Sequence, residues 1–254
     1  MVWAGGGAWS RPDPCMDKAS IYSQEASLLA CYPDPRGCYS RLQELAGMGV
    51  EQVCTRGHVA LPGGVGALGK GHSSTVFAAV YRGVYTAVKS RRPQGRRFSL
   101  AGEARLLSIA SRAGVAPRVY AWSHDFIVME YLPGPSLADL LDNTRSLPGW
   151  AVRGLLEAAA TLDLAGVLHH ELHRPWWNIF YTPTPSPRAV VVDFDSASIG
   201  CGNLAKAASA LVHLGLLSVE PGLRRVLAWY KKECSVEGVG IALSSIYDLL
   251  SLAV

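Results

Sequence analysis

The hydrophobic positions of this chain change period as they run, and each change marks an element. Residues 17–48 place apolar side chains at helical spacing, interrupted at residues 33–37. Residues 51–90 are rich in Gly, Val, Thr and Tyr, with turn signals at Pro62-Gly63-Gly64 and Arg82-Gly83, and predict several short antiparallel strands. Residues 99–113 return to helical spacing: Ser99 is placed to cap, Gly102 is a weak spot, and Glu103, Leu106, Leu107 and Ala110 recur three and four apart. Two strands follow, at 117–122 and 126–131. Beyond Pro133-Gly134-Pro135 the pattern changes again. Val152, Leu155, Leu156, Ala159 and Leu162 lie on one face of a long helix. Residues 179–181 and 188–193 predict a hairpin, and the Thr-Pro-Thr-Pro-Ser-Pro run at 182–187 predicts a solvated polyproline II loop. Residues 203–253 are predominantly helical. The expected class is α+β, with a small β-rich lobe and a helical lobe joined near residues 132–135. The expected divisions are a floppy leader at 1–15, a helical extension at 16–60, the β-rich lobe at 61–132 and the helical lobe at 133–254. A cleft between two such lobes is the expected ligand site.

Composition narrows the class. In 254 residues, 49% hydrophobic and 17% charged content excludes wholesale disorder and allows a sizeable core. The 26 Gly and 15 Pro follow no fixed period, which excludes a collagen-like chain. A net charge of +4 is too mild to make nucleic-acid binding the default. The apolar stretch 207–219 is shorter than the roughly 20 residues of a membrane span and predicts a buried core helix. The first residues show no secretory signal, Met16 is an alternative start to Met1, and a cytoplasmic location is expected. The six cysteines (Cys15, Cys31, Cys38, Cys54, Cys201, Cys234) include no C-x-x-C pair and read as reduced, partly buried thiols, with a Cys31–Cys38 bridge as the alternative.

Four segments carry residues suited to chemistry. In Gly69-Lys70-Gly71-His72-Ser73-Ser74-Thr75-Val76, alternate glycines let backbone N–H groups approach phosphate oxygens, although alone this is an ordinary hairpin turn. The near P-loop from Gly64 to Lys70 is rejected, because Gly71 stands where a hydroxyl is needed and strand-like residues follow. In Ala87-Val88-Lys89, a lysine within an apolar strand is costly to bury without a counter-charge, and Glu103 on the next helix is the natural partner. The strand Phe126-Ile127-Val128-Met129-Glu130-Tyr131-Leu132 runs into a Pro-Gly connector and offers backbone groups to a planar base. The fourth segment runs from His169-His170-Glu171-Leu172-His173-Arg174-Pro175-Trp176-Trp177-Asn178 to Val190-Val191-Val192-Asp193-Phe194-Asp195. It sets a carboxylate, an amide and a strand-terminal acid where phosphoryl transfer requires convergence.

Taken in order, these motifs resemble the protein-kinase-like superfamily, and among it the small archaeal predicted serine/threonine kinases related to Rio-type atypical kinases, over about residues 40–220. The resemblance implies a bilobal kinase-like fold, and ATP and Mg²⁺ (or Mn²⁺) as cofactors. It implies that Gly69, Lys70, Gly71 and Val76 cover the nucleotide beside Ala87, that Lys89 meets the α/β-phosphates and that Glu103 holds Lys89. Glu130 and Leu132, next to Met129, would present backbone groups to adenine, with Glu171 as the catalytic carboxylate and Asn178 and Asp193 on Mg²⁺. The expected activity is transfer of a γ-phosphoryl group to a hydroxyl, of a serine or threonine in a protein. The alternatives are a small-molecule kinase of the aminoglycoside or choline phosphotransferase type, and a nucleotide-binding pseudokinase or ATPase.

The chain departs from the superfamily pattern at Glu171, where Asp is usual, in the seven-residue gap to Asn178, and at Asp195, where Gly is usual. No long activation segment follows Ser198. A zinc pair at His169 and His173 is disfavoured, since Arg174-Pro175 ends any helix. Trp176 and Trp177 read as packing anchors. Arg91, Arg92, Arg96 and Arg97 read as a solvated loop, with docking of RNA or an acidic partner the minority view.

Overall fold

The computed structural model describes residues 15–95, 97–144, 147–182, 187–218 and 220–251. The leader, Arg96, the centre of the Thr-Pro run and Val219 therefore lie outside the described residues. The described part is a mixed α+β protein, 42% helical and 22% strand, with a mainly antiparallel sheet. It divides into a sheet unit, Arg11–Arg105 with Arg118–Leu132, and a helical unit, Leu106–Pro117 with Pro133–Val254.

In the sheet unit the elements are β1 (Lys18–Ser20), α1 (Gln24–Ala30), α2 (Tyr39–Met48), β2 (Val50–Cys54), β3 (Val59–Ala60), β4 (Gly66–Ala67), β5 (Gly69–Lys70), β6 (Ser74–Tyr81) and β7 (Val84–Arg91). These are followed by α3 (Ala101–Arg112), within which the division falls, then β8 (Val119–Trp122) and β9 (Phe126–Glu130). The main sheet runs β1-β2-β6-β7-β9-β8, with β5 also paired to β6. The β6–β7 connection is the two-residue turn Arg82-Gly83, both at positive φ (48° and 77°), which suits the twist of a tight hairpin. Alternation along these strands sends Phe77, Ala79, Tyr81, Val88, Phe126 and Val128 into one core with Leu29 of α1 and Leu42 and Leu45 of α2. The N-terminal residues are thus part of the sheet unit: α1 and α2 cover one sheet face, and β1 and β2 extend its edge. The helical pattern at 17–48 concealed β1, which is only three residues long.

Arg41 of α2 binds the helices to the sheet. It donates to Asp125, to Ser90 Oγ (2.9 Å) and to the carbonyls of Ala30 (3.2 Å) and Arg91 (2.7 Å), with its guanidinium 4.7 Å from the Phe126 ring centre. Burial opposes the charge of Asp125. Hydrogen bonds from Arg91 and His124 and the adjacent Arg41 charge outweigh it and hold the carboxyl below its usual range.

The helical unit comprises α4 (Leu137–Thr144), α5 (Gly149–Leu164), β10 (Val167–Leu168), β11 (Ile179–Tyr181), β12 (Ala189–Val191), β13 (Ser198–Ile199), α6 (Asn203–His213), α7 (Pro221–Glu233) and α8 (Val236–Ser251). β11 and β12 form the expected hairpin, and β10 pairs with β13. The apolar stretch from 207 is not one helix. α6 ends at His213, and Gly215 at φ 71° turns the chain toward α7. Among the described residues no helix is long and apolar enough to cross a membrane.

The reading of the cysteines as reduced thiols is overturned, because all six are paired: Cys15–Cys54, Cys31–Cys38 and Cys201–Cys234. The Cα–Cα distances, 4.7, 5.9 and 6.1 Å, fit disulfide bonding. Two of the bridges join residues 39 and 33 apart, a proximity that only the tertiary fold creates. Alkylation of the unfolded but unreduced chain will label none of the six by mass spectrometry, and full labelling will follow reduction. Asp125 gives a second expectation. Since folding lowers its pKa, its stabilisation is whole above pH of about 4 and drains away as pH falls further. Asp125→Asn should lower the urea-derived stability at neutral pH by about 3 kcal/mol, because Arg41 is left buried without its counter-charge. The same variant should show a flatter acid limb than the wild type below that pH.

Candidate functional site

Within the sheet unit, β5 and β6 form the glycine turn. Gly69 lies opposite Val76 and Lys70 opposite Thr75, and Gly71 N–H donates to the Ser74 carbonyl at 2.9 Å. The hairpin itself does not demand glycine at either position. A Cβ would meet nothing nearer than 4.0 Å at Gly69 and 3.7 Å at Gly71, and neither has positive φ. The missing side chains leave the backbone bare toward open space. Lys70 is engaged away from the turn: its ammonium lies 5.2 Å from the Tyr32 ring centre and donates to Tyr32 Oη at 3.3 Å.

Lys89 sits in β7 between Val76 of β6 and Ile127 of β9, and it is buried at 4% exposure. Its Nζ meets Glu103 Oε1 at 2.5 Å, and the second Glu103 oxygen faces Arg97 at 3.6 Å. Ser99 starts α3 by accepting the Ala101 N–H at 3.1 Å, which sets Glu103 in the first turn. Ala87 lies one residue-pair away, opposite Ala78 and Met129. At the end of β9, Glu130 is less free than expected. Its N–H donates to the Arg118 carbonyl (2.8 Å) and its carboxylate accepts from Arg118 N (3.1 Å), so its backbone donor is taken, while Leu132 lies beyond the strand.

In the helical unit, one buried carboxylate organises the remaining candidates. α6 starts at Gly202, which has no side chain to cap it, and Asp163 of α5 does so instead. Asp163 accepts from the N–H groups of Gly202 (2.8 Å), Asn203 (2.9 Å) and Leu204 (3.0 Å), from Asn203 Nδ2 (2.8 Å) and from Tyr230 Oη (2.5 Å). Burial and the Asp163 charge together raise the Tyr230 pKa far above its ordinary value, so its proton stays on this bond. Asn203 passes the order onward, accepting from His169 N–H at 2.8 Å and donating to the Val167 carbonyl at 2.7 Å.

The loop after β10 starts from that anchor. His169 is fully buried, its Nε2 3.1 Å from the Val192 carbonyl and its ring edge-on to Phe194 at 5.3 Å. Burial lowers its pKa, while Val192 and the nearby Asp193 and Glu171 charges pull the other way. Leu172 is buried beneath the loop, Glu171 is exposed, and Asn178 Nδ2 donates to Glu171 Oε2 at 3.0 Å. The seven-residue gap is therefore closed by direct contact. Val192 N–H donates to the Asn178 carbonyl at 2.9 Å, and Asp193 follows, exposed and in the left-handed region (φ 64°, ψ 67°). Aspartate tolerates this region better than most residues, and the turn there redirects the chain as the strand ends. The unit thus joins Glu171 to Asn178 through their side chains and joins Asn178 through its backbone to Val192, the residue before Asp193.

The histidines of the loop are engaged separately: His173 Nδ1 contacts the His170 carbonyl at 3.0 Å, and His170 Nε2 contacts Ser198 Oγ at 2.9 Å. Among the described residues no group of three or more His, Cys, Asp and Glu gathers to hold a metal ion. Trp176 packs near His213, but Trp177 is 63% exposed and anchors nothing. The expected solvated loop is corrected at three of its four arginines: Arg91 pairs with Asp125, Arg92 lies 4.7 Å from the Tyr32 ring centre and Arg97 faces Glu103, so these charges are largely spent within the fold, and Arg96 lies outside the described residues.

Asp163 and Asn203 were missed, although an aspartate set between Leu162 and Leu164 at the end of α5 is a signal of a buried, bonded charge. Asn203→Leu should cost about 3 kcal/mol by leaving three buried partners unmet. It should also speed hydrogen exchange at the His169 amide more than at amides of β6, as read by mass spectrometry. No family model and no curated protein matches this sequence, so a functional reading rests on the chemistry of these residues.

Proposed function

We propose that the chain is an ATP- and Mg²⁺-dependent phosphotransferase with a kinase-like bilobal fold, acting on a hydroxyl of a serine or threonine in a protein. The observation that carries the reading is the buried Lys89–Glu103 pair. An ion pair inside a sheet seldom stabilises more than well-packed apolar residues would, so its retention points to a cation held ready for an anion. Lys89 is then the phosphate-binding cation and Glu103 its positioning partner, with the bare backbone at Gly69 and Gly71 open to phosphate oxygens.

The donor set suits a hard cation. Mg²⁺ takes one or two protein oxygens with phosphate oxygens and water, and Asp193 with Asn178 Oδ1 would supply the protein share. When bound, the ion neutralises charge on the transferring phosphate. Glu171 is held at Oε2 by Asn178, which leaves Oε1 to orient the acceptor hydroxyl and take its proton. The acceptor oxygen bonds to the γ-phosphorus, the bond to the bridging oxygen breaks, and ADP leaves with the electron pair. The chain's own contribution is positioning and charge placement.

A second reading, a small hydroxylated acceptor, is favoured by one observation. Only residues 194–202 separate Asp193 from α6, which leaves little chain to seat a peptide. A cytoplasmic location belongs to the proposal as well. Three disulfides would then set the chain among intracellular proteins of the hyperthermophile kind, where such bonds persist.

Asp193→Ala should abolish phosphoryl transfer while leaving the circular dichroism spectrum unchanged, and Lys89→Met should lower it at least about a hundredfold. The assay pairs ADP release with mass detection of phosphorylated protein or small-molecule acceptors. Wild-type-like transfer by Asp193→Ala, with contaminating kinase excluded, would overturn the reading. Thermal stabilisation by ATP–Mg²⁺ with no ADP formed would replace it with a nucleotide-binding scaffold.

A further inference from the structure

The helical unit carries a groove that the candidate site does not use. It lies between α6 and α7, has a volume of about 590 Å³ and is open along its length. Its lining begins at Val212 and Leu223, beside the loop joining the helices, and reaches Ala205 and Lys231 at the opposite end. The two walls differ. α6 presents Ala205, Ala208, Ser209 and Val212, small and uncharged at i, i+3, i+4 and i+7. α7 presents Leu223 and Leu227 toward the floor and the exposed cations Arg224, Lys231 and Lys232 along the rim. Among the described residues no acidic side chain lines the groove and no carboxylate pairs with these three cations.

The placement of the charges is informative. Lys231 and Lys232 lie in the last turn of α7, where cations complement the helix dipole. Arg224 is in the first turn, four residues after the N-cap Glu220, and it is exposed on the groove side of the helix. Arg224 and Lys232 stand eight residues apart on one ridge, about 12 Å along the axis, with Ala228 between them. The far end of the groove is held rigid. Cys201, just before α6, is bonded to Cys234 at the C-terminal cap of α7, and Tyr230 Oη is bonded to Asp163. A preformed groove loses little freedom on binding.

We propose that this groove docks an acidic amphipathic helix of a partner protein. The small residues of α6 admit a close helix backbone, the leucines of α7 meet its apolar stripe, and carboxylates two turns apart meet Arg224 and Lys232. RNA would gain little from an apolar floor, and a membrane surface calls for a protruding apolar face rather than a concave one. The inference stands apart from the phosphotransfer reading, because no residue lining the groove takes part in that chemistry.

The probe is a fluorescein-labelled helical peptide of about 18 residues, with leucines at i, i+3, i+4 and i+7 and glutamates two turns apart beside them. Fluorescence anisotropy with the intact chain should show saturable binding. Arg224→Glu/Lys232→Glu should weaken it at least about tenfold, Leu227→Asp should do likewise, and Arg36→Glu, an exposed reversal in the sheet unit, should not. A peptide with lysine in place of glutamate should fail to bind. Circular dichroism confirms that each variant is folded. Absence of binding by the acidic peptide would overturn the proposal, as would equal binding by the groove variants. So would displacement of the bound peptide by single-stranded RNA or phosphatidylglycerol vesicles at lower concentration than by unlabelled peptide.

Discussion

The helical unit depends on one buried carboxylate. Asp163 gathers five donors from three places: the start of α6, the Asn203 side chain and Tyr230 of α7. A charge so enclosed is tolerable only when its lone pairs are satisfied, and here each donor also fixes an element. α6 gains the cap its own Gly202 cannot give, α7 is pinned through Tyr230, and Asn203 carries the order to His169. Glu171 and Asn178 lie on the loop that His169 starts, and the His169 ring meets the Val192 carbonyl just before Asp193. The geometry of the candidate chemistry is thus set by groups that never touch it.

Much of the architecture was legible in the residues. The strongly periodic helices at 101–112 and 149–164 and the hairpin around Arg82-Gly83 follow from spacing and turn chemistry alone. The Lys89–Glu103 pair was legible for a different reason. A lysine in an apolar strand has to find an acid, and only one helix nearby offers it. The illegible parts share a cause, which is that they depend on contacts distant in sequence. Three-residue β1 has no period of its own and exists because β2 accepts it. Cys15 and Cys54 carry no spacing signal, because the sheet edge brings them together. The arginines at 91, 92 and 97 look like a solvated run until Asp125, Tyr32 and Glu103 are folded against them.

The same distinction applies at the site. Residue type alone singled out Glu171 and Asp193 as candidates, but their relation depends on Val192, whose carbonyl meets His169 and whose N–H meets the Asn178 carbonyl. Nothing about a valine in an apolar strand advertises that role. The left-handed backbone at Asp193 is equally silent in the sequence, since aspartate tolerates it without requiring it.

Continuity of the main sheet has a bearing on what counts as the smallest working piece of this protein. β1 pairs with β2, and β2 pairs with β6, the strand that carries the glycine turn. The helices between them seal the sheet face opposite Lys89, and Tyr32 in their connecting loop grips Lys70. What looks like an appendage is therefore a wall of the same room. A fragment trimmed to begin at the glycine turn would bare an apolar sheet face and an unpaired strand edge, and would be expected to aggregate before it could meet any ligand.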